Sequence, residues 1–508
     1  MTTMTQAKHY EDLRGQLRET ATLGSVSALL GWDQETYMPD AGADARARQS
    51  SLVAGLIHER ASSEHLGALI AACEGDSELT GDPEIAAELR EVRRDYDLAT
   101  KLPGDLVREL AETGSKAQHA WKKARAANDF GQFEPWLTKM VALAQRKAQC
   151  YGTPEGGEAY DALLNEYEPG ARAAGIEAVF TPLGERLSAF IKSIAADGTA
   201  PDESPLNVHV DPAAQHAFGL EVVERMGFDL DAGRLDVTTH PFCSGFAPGD
   251  TRLTTRYRGE RFTDALYGTM HECGHGLYEQ GLPKGEKFGS PLASSISLGI
   301  HESQSRMWEN FVGRSRQFWV WAKPIAKKHF GGVLDAYDVD AMYRAVNTAK
   351  PSFIRVEADE ATYNLHVMLR FEIERGLVSG GLGVKDVPAA WNARFKELFG
   401  LDVPDDARGC LQDVHWSFGL MGYFPTYTLG NLYAAQFWEA IREDITDLDG
   451  QMERGEFADL LAWLREKIHR HGKRYRAGEL CELVTGKPLE ADPLLRHLEE
   501  RVKPAYGL

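Results

Sequence analysis

The chain has 508 residues, 43% of them apolar, which suffices for one large helical body or roughly two to four ordinary domains. Lys and Arg number 56 against 76 Asp and Glu, a formal net charge of −20 with no basic stretch to track phosphates, which argues against nucleic acid as the main partner. There is no apolar run of about 18 residues to span a membrane, no apolar signal core among the first ten residues, and no C-x-x-C spacing among Cys73, Cys150, Cys243, Cys273, Cys410 and Cys481. That pattern predicts reduced thiols in a cytoplasmic protein.

Along the chain nearly every segment reads as helix. Glu11–Leu30, Glu84–Thr100, Pro103–Asn128, Pro135–Gly152, Ile176–Ala195 and Pro212–Met226 carry helical periodicity between Gly, Pro and Asp breaks. Gly198–Pro205 is a polar loop and the best interior hinge candidate. The fold class is all-α, predominantly helical. Residues 1–200 read as a helical wall and 201–508 as the metal-bearing catalytic part of a single body, 1–508. Periodicity alone leaves a separate N-terminal domain open.

One stretch departs from this. Leu235–Phe242 and Asp250–Tyr257 are Thr-rich and partly alternating, with Gly245, Pro248 and Gly249 between them, which predicts a small antiparallel β-sheet in the form of a hairpin. An exposed edge there would give an extended peptide main-chain partners. A hairpin that merely covers the core has the same pattern.

Directly after it comes His271-Glu272-Cys273-Gly274-His275. On a helix, positions i and i+4 lie one above the other, so two neutral imidazoles can meet one metal ion. The glutamate, about 100° around the axis, can reach a water on that metal without ligating it. This is the H-E-x-x-H arrangement of zinc peptidases. With 16 His in the chain, random composition gives ~0.04 such matches, so coincidence is a poor account. Thr263 and Asp264 are candidate caps for the helix, and Gly281-Leu282-Pro283 stops it. Leu266, Met270, Cys273 and Leu277 form one apolar stripe, which makes packing the better role for Cys273.

A catalytic zinc takes three protein ligands and keeps one position open. A second helix is expected from near Ser294 through Trp308, Phe311 and Phe318, carrying His301 and Glu302. Glu302 lies 27 residues beyond His275, enough for a loop and an antiparallel return. His₂Glu is a recognised zinc set, which favours Glu302 over His301, but spacing leaves Glu309 open, and Glu302 could instead pair with Arg306 on the helix surface. Cobalt or manganese would also fit such a set.

Beyond these local signals the chain resembles the thermostable metallocarboxypeptidases of the carboxypeptidase Taq type, nearly end to end. The resemblance is carried by Gly31-Trp32-Asp33-Gln34-Glu35-Thr36-Tyr37-Met38-Pro39, His240-Pro241-Phe242, the D-x-R-x-T of Asp250, Arg252 and Thr254, the H-E-x-x-H, and His301-Glu302-Ser303-Gln304. It continues through Ile354-Arg355-Val356-Glu357-Ala358-Asp359, Gly409-Cys410-Leu411-Gln412-Asp413-Val414-His415-Trp416, and Thr485-Gly486. It implies a helical homodimer with a small sheet beside a deep groove, which removes single residues from peptide C-termini. It further implies Glu302 rather than Glu309 as third ligand, and that His240, Arg252, Arg355 and His415 line the groove.

Chemistry assigns expected roles. Glu272 is the general base and then the acid that protonates the leaving amine. An arginine fork suits a free terminal carboxylate, with Arg355 the first choice and Arg252 the second. His415, Tyr423 and Tyr427 are candidate donors to the oxyanion, in a segment whose aromatic density also suits a core. Asp413 is expected to orient a ligand or donor. The expected substrates are short, unfolded peptides. The rival readings are an oligopeptidase or dipeptidyl carboxypeptidase, and a peptide-binding protein without catalysis, against which the intact His271, Glu272, His275 and Glu302 argue.

Overall fold

The computed structural model describes residues 2–508, with side-chain surroundings from residue 8 onward. Helices dominate, and local chemistry explains their ends. Asp82 caps the helix Pro83–Thr100 by accepting from the amides of Glu84 and Ile85, with Pro83 in the first turn where its missing N–H costs nothing. Asp211 and Pro212 begin Pro212–Met226 in the same way, and Gly227 at φ +96 ends it. Gly104–Ala127 stops at Asn128, the one described non-glycine residue with positive φ. Glu134–Tyr151 and Ala173–Asp197 complete the expected series, within a few residues of the boundaries read from periodicity. The first helix, Thr2–Thr36, is longer than expected, and the next, Ala43–Ala61, buries none of its residues.

The expected sheet is present, but its pairing is mixed. β1 (Gly233–Val237), β2 (Cys243–Ala247) and β3 (Asp250–Thr255) lie in the order β1-β3-β2. β1 runs parallel to β3, with Leu235 opposite Leu253. The antiparallel partner of β3 is β2, with Cys243 opposite Leu253 and Ser244 opposite Arg252. The single hairpin between Leu235–Phe242 and Asp250–Tyr257 is therefore corrected. Pro248 and Gly249 (φ +77) turn β2 directly into β3, so the glycine-bearing stretch read as a loop is itself the return strand. Alternation marks a strand and its faces, not its partner or direction.

The main core runs from Ala117 to Tyr506 as one buried cluster. A smaller one, of Leu13, Leu66, Leu69, Ile70, Cys73, Leu89 and Val92, lies under the N-terminal helices. The motif helix, α1 (Phe262–Gly281), starts before the expected caps. Phe262, buried edge-on against Trp319 and Phe330, fixes its start, and Asp264 lies in the first turn, where a carboxylate favours the helix dipole. Its stripe of Leu266, Met270, Cys273 and Leu277 is wholly buried. The second motif helix, α2 (Leu298–Arg306), begins later than Ser294 because Ser297 caps it. It passes into a π-turn at Met307–Val312 and breaks before Arg316–Phe330, instead of continuing through Phe318. The guanidinium of Arg501 donates to the carbonyls of Asn310 and Phe311 in that π-turn.

Candidate metal centre

Two glycines bring the ligand-bearing helices together. A Cβ on Gly274, inside the motif, would lie 2.6 Å from the carbonyl oxygen of Gln304 and 2.7 Å from Cα of Ser305, so only glycine admits α2 this close to α1. On the other side, a Cβ on Gly430 of α3 (Pro425–Asp444) would meet Cβ and Cγ of Glu302 at 2.6 Å. Glu302 is thus held between two helix backbones. Its Oε2 lies 3.7 Å from Nε2 of His271 and 3.5 Å from Nε2 of His275.

The far side of each imidazole is also occupied. Nδ1 of His271 donates to Glu309 at 2.8 Å. Nδ1 of His275 touches Nδ1 of His301, whose Nε2 donates to Glu279 at 2.9 Å. With His301 protonated on Nε2, its Nδ1 accepts from His275. Both motif histidines then carry their proton on Nδ1 and turn the Nε2 lone pair toward Glu302. Arg306 takes the other oxygen of Glu302 at 2.7 Å and Glu309 at 2.9 Å. The pairing of Glu302 with Arg306, read from sequence as an alternative to ligation, uses one oxygen and leaves the other facing the two imidazoles.

The donor set fits one small divalent ion. The nitrogens of His271 and His275 and an oxygen of Glu302 all lie within 4.8 Å of one another. Bonds of about 2.0–2.2 Å in a tetrahedral sphere place ligand atoms roughly 3.3–3.6 Å apart. Glu309 and His301 are instead the supports of the two imidazoles. Burial pushes Glu302 up, yet Arg306 and the histidines more than offset this and hold it well below the usual carboxylate range. Burial, with His301 alongside, lowers His275 to about 3. Glu272 is buried and makes no side-chain hydrogen bond or ion pair among the described residues. Burial chiefly raises it to about 7, where a general base is most effective at neutral pH.

The aromatic segment reaches this centre through Tyr363. Arg306 lies over the Tyr363 ring at 4.8 Å, and the Tyr363 hydroxyl accepts from Nη1 of Arg355 at 2.9 Å. Nε and Nη2 of Arg355 donate to Asp413 at 3.1 and 2.9 Å, and Asp413 is held in turn by Nε of Arg370 at 2.6 Å. The ion-pair partner of Arg355 is therefore Asp413. Tyr427 packs beside Arg355, at 5.2 Å from its ring, and beside Tyr423, at 5.4 Å between rings. Tyr423 and His415 rings are 5.5 Å apart, and burial chiefly lowers His415 to about 4, which keeps it neutral at pH 7. Tyr423 and Tyr427 both feel the charge of Glu302.

Arg252 and His240 are placed differently. Strand alternation turns Leu253 toward α1, where it packs against Gly276, and Arg252 toward the opposite face. There Arg252 grips Asp250 through two hydrogen bonds, at 2.8 and 2.9 Å, and stacks on Trp32 at 4.3 Å. His240 is exposed in the connection between β1 and β2. Sequence reasoning missed Glu279, Tyr363 and Arg370. For Glu279 the signal was available, since it lies four residues beyond His275 on the same helix face.

A helical body in which two motif histidines and a glutamate converge in this way defines a metallopeptidase. The chain belongs to the carboxypeptidase Taq (M32) metallopeptidase family, whose model matches residues 12–502. It is 44% identical to "Thermostable carboxypeptidase 1" of Thermus thermophilus over 99% of this chain and 100% of that protein, and 38% identical to the Pyrococcus furiosus protein of the same name over 98% and 99%. An M32 carboxypeptidase structure from Deinococcus radiodurans matches with a TM-score of 0.94 at 42% identity, covering 99% of this chain and 100% of that one. The protein is a metallocarboxypeptidase, and membership of this family implies a divalent metal and peptide substrates. Among the described residues no helix is long and apolar enough to cross a membrane.

Proposed function

We propose that the protein is a zinc carboxypeptidase that releases single amino acids, with broad specificity, from the C-termini of short unfolded peptides. The observation that carries this reading is the convergence of Nε2 of His271 and Nε2 of His275 on one oxygen of Glu302. His₂Glu suits zinc, with cobalt and manganese as alternatives that elemental analysis of the native protein separates. When bound, the ion supplies Lewis-acid polarisation of the scissile carbonyl and makes water acidic near neutral pH.

The chain's own residues do the rest. Glu272, raised to about 7, takes the proton of the attacking water on its carboxylate and hands it to the leaving amine. Arg355 binds the free terminal carboxylate. Asp413 and Tyr363 steady its fork, using three of its five N–H groups and leaving two for a ligand. His415 and Tyr423 donate to the developing oxyanion, and Tyr427 lines the carboxylate pocket. Arg252 is the second candidate for the carboxylate, and with His240 it lines the outer part of a deep groove.

The reading extends to a cytoplasmic homodimer. All six cysteines are unpaired, which supports a reducing compartment. The dimer rests on the family resemblance, and a solution mass of one chain would overturn it. The central test incubates metal-loaded protein with N-blocked tripeptides and identifies the products by mass. Free C-terminal amino acids are expected, whereas dipeptides or internal fragments would make it a dipeptidyl carboxypeptidase or oligopeptidase. Glu272→Ala is expected to keep the metal and lose several orders of magnitude in turnover, and unchanged turnover would remove Glu272 as the base.

A further inference from the structure

Glu374 is a fully buried carboxylate with no ion-pair partner among the described residues, on the helix Glu360–Ser379. Three donors are aimed at it. Nε1 of Trp416 donates to Oε1 at 2.8 Å, and the amide of Gly422 donates to Oε2 at 2.9 Å. The hydroxyl of Tyr160 donates to the same Oε2 at 2.7 Å. Burying an acid without a cation is costly, and an apolar side chain would fill this space without that cost.

What the acid holds explains its presence. Trp416 directly follows His415, and Gly422 directly precedes Tyr423. The segment between them is a short 3₁₀ turn at His415–Phe418 followed by an irregular bend with Gly419 at φ +71 and Gly422 at φ +92. No helix or strand ladder fixes such a segment. Glu374 reaches both ends at once, one oxygen to each. At the Gly422 end the chain is also pressed onto the helix Ala159–Leu164, where an added Cβ would lie 2.8 Å from the amide nitrogen of Leu164.

We propose that Glu374 is a positioning residue for the reaction: by tethering Trp416 and Gly422 it fixes His415 and Tyr423 against each other and toward the metal centre. This rests on the roles proposed for His415 and Tyr423. A displacement of about 1 Å in such groups costs on the order of 100-fold in rate, so a tether remote from substrate has a catalytic signature. The signature is coupling. A residue that works only through His415 and Tyr423 has nothing left to contribute once both are gone.

The test measures kcat, KM and chelator-competition metal affinity on an N-blocked tripeptide for Glu374→Gln, His415→Ala, Tyr423→Phe, the double variant His415→Ala with Tyr423→Phe, and the triple variant that adds Glu374→Gln to that pair. Glu374→Gln keeps the volume but replaces one acceptor oxygen by an NH₂, which then faces either the indole N–H of Trp416 or the donors of Gly422 and Tyr160. It is expected to lower kcat by about 10- to 100-fold while KM and metal affinity stay within about threefold. The triple variant is expected to be no slower than the His415→Ala, Tyr423→Phe double variant by more than about threefold. Additive losses, loss of metal, or wild-type kcat in Glu374→Gln would each overturn the proposal. Wild-type kcat in both His415→Ala and Tyr423→Phe would overturn the roles of those residues and the tether with them. If only Glu374→Gln is fully active, those roles stand and the tether falls. Should Glu374→Gln not fold, Trp416→Phe cuts one tether and is expected to lower kcat by about tenfold, whereas Tyr160→Phe cuts neither and is expected to keep it. Equal effects of the two would overturn the proposal.

Discussion

Glu309 accepts a hydrogen bond from Nδ1 of His271 at 2.8 Å while Arg306 holds the same carboxylate at 2.9 Å. The residue that spacing offered as a rival ligand is thus tied to the back of a proposed one. Replacing it with alanine frees the ring to rotate and removes the partner that fixes its tautomer. Glu309→Ala is expected to weaken metal binding by about 10- to 100-fold, measured by chelator competition. An unchanged affinity would take Glu309 out of the site.

Gly274 permits the contact between α1 and α2. In Gly274→Ala the new methyl meets backbone rather than a flexible side chain, so the helices must separate. A loss of about 1–3 kcal/mol in apo-protein stability is expected, together with weaker metal binding. Denaturant melts with and without metal check both. A variant as stable as the parent would show that the two helices can part freely.

Arg355→Lys replaces a fork by a point charge in a buried site. Wild type is expected to prefer a peptide with a free C-terminal carboxylate over its amide by about 100-fold or more in kcat/KM, and the variant to lose most of that preference. Arg252→Lys is expected to retain it, since Arg252 faces away from α1. The opposite pattern would transfer carboxylate binding to Arg252.

Glu168 gives stability a pH dependence. It is fully buried at the start of α2, where its oxygens accept from the Ser297 hydroxyl and the Gly299 amide, each at 2.9 Å. Burial raises it from 4.5 to about 7 despite those donors. Between these values the unfolded chain has released the proton and the folded one still holds it, so this group's contribution falls as pH rises from about 4.5 to 7, then levels off. Glu168→Gln removes that loss. Relative to wild type, the variant is expected to gain on the order of 3 kcal/mol between pH 4 and pH 8, whatever its offset at pH 4. A difference independent of pH would show that Glu168 does not titrate in this range.

The helices Pro83–Thr100, Gly104–Ala127, Glu134–Tyr151 and Ala173–Asp197 were legible because capping residues and periodicity are local, whereas Ala43–Ala61, which buries none of its residues, gave no apolar stripe to read. The H-E-x-x-H was legible because a helix fixes the relation of i to i+4. Glu302 needed more, since its place depends on Gly274 and Gly430, and nothing in a spacing of 27 residues reveals that two glycines squeeze its helix. The parallel pairing of β1 with β3 was invisible because alternation carries no direction. The Arg355–Asp413–Arg370 chain joins residues far apart in sequence, and only the fold brings those charges to one point.

The placement of Glu302 between Gly274 and Gly430 reaches beyond affinity. With backbone on both sides, the helix carrying the third donor has no room to slide outward and widen the coordination sphere. Calcium needs longer bonds, of about 2.3–2.6 Å, and more oxygens than this site presents. A cation held by the three proposed ligands would therefore be screened for size by the spacing of helix backbones, before the chemistry of those ligands selected among the smaller ions.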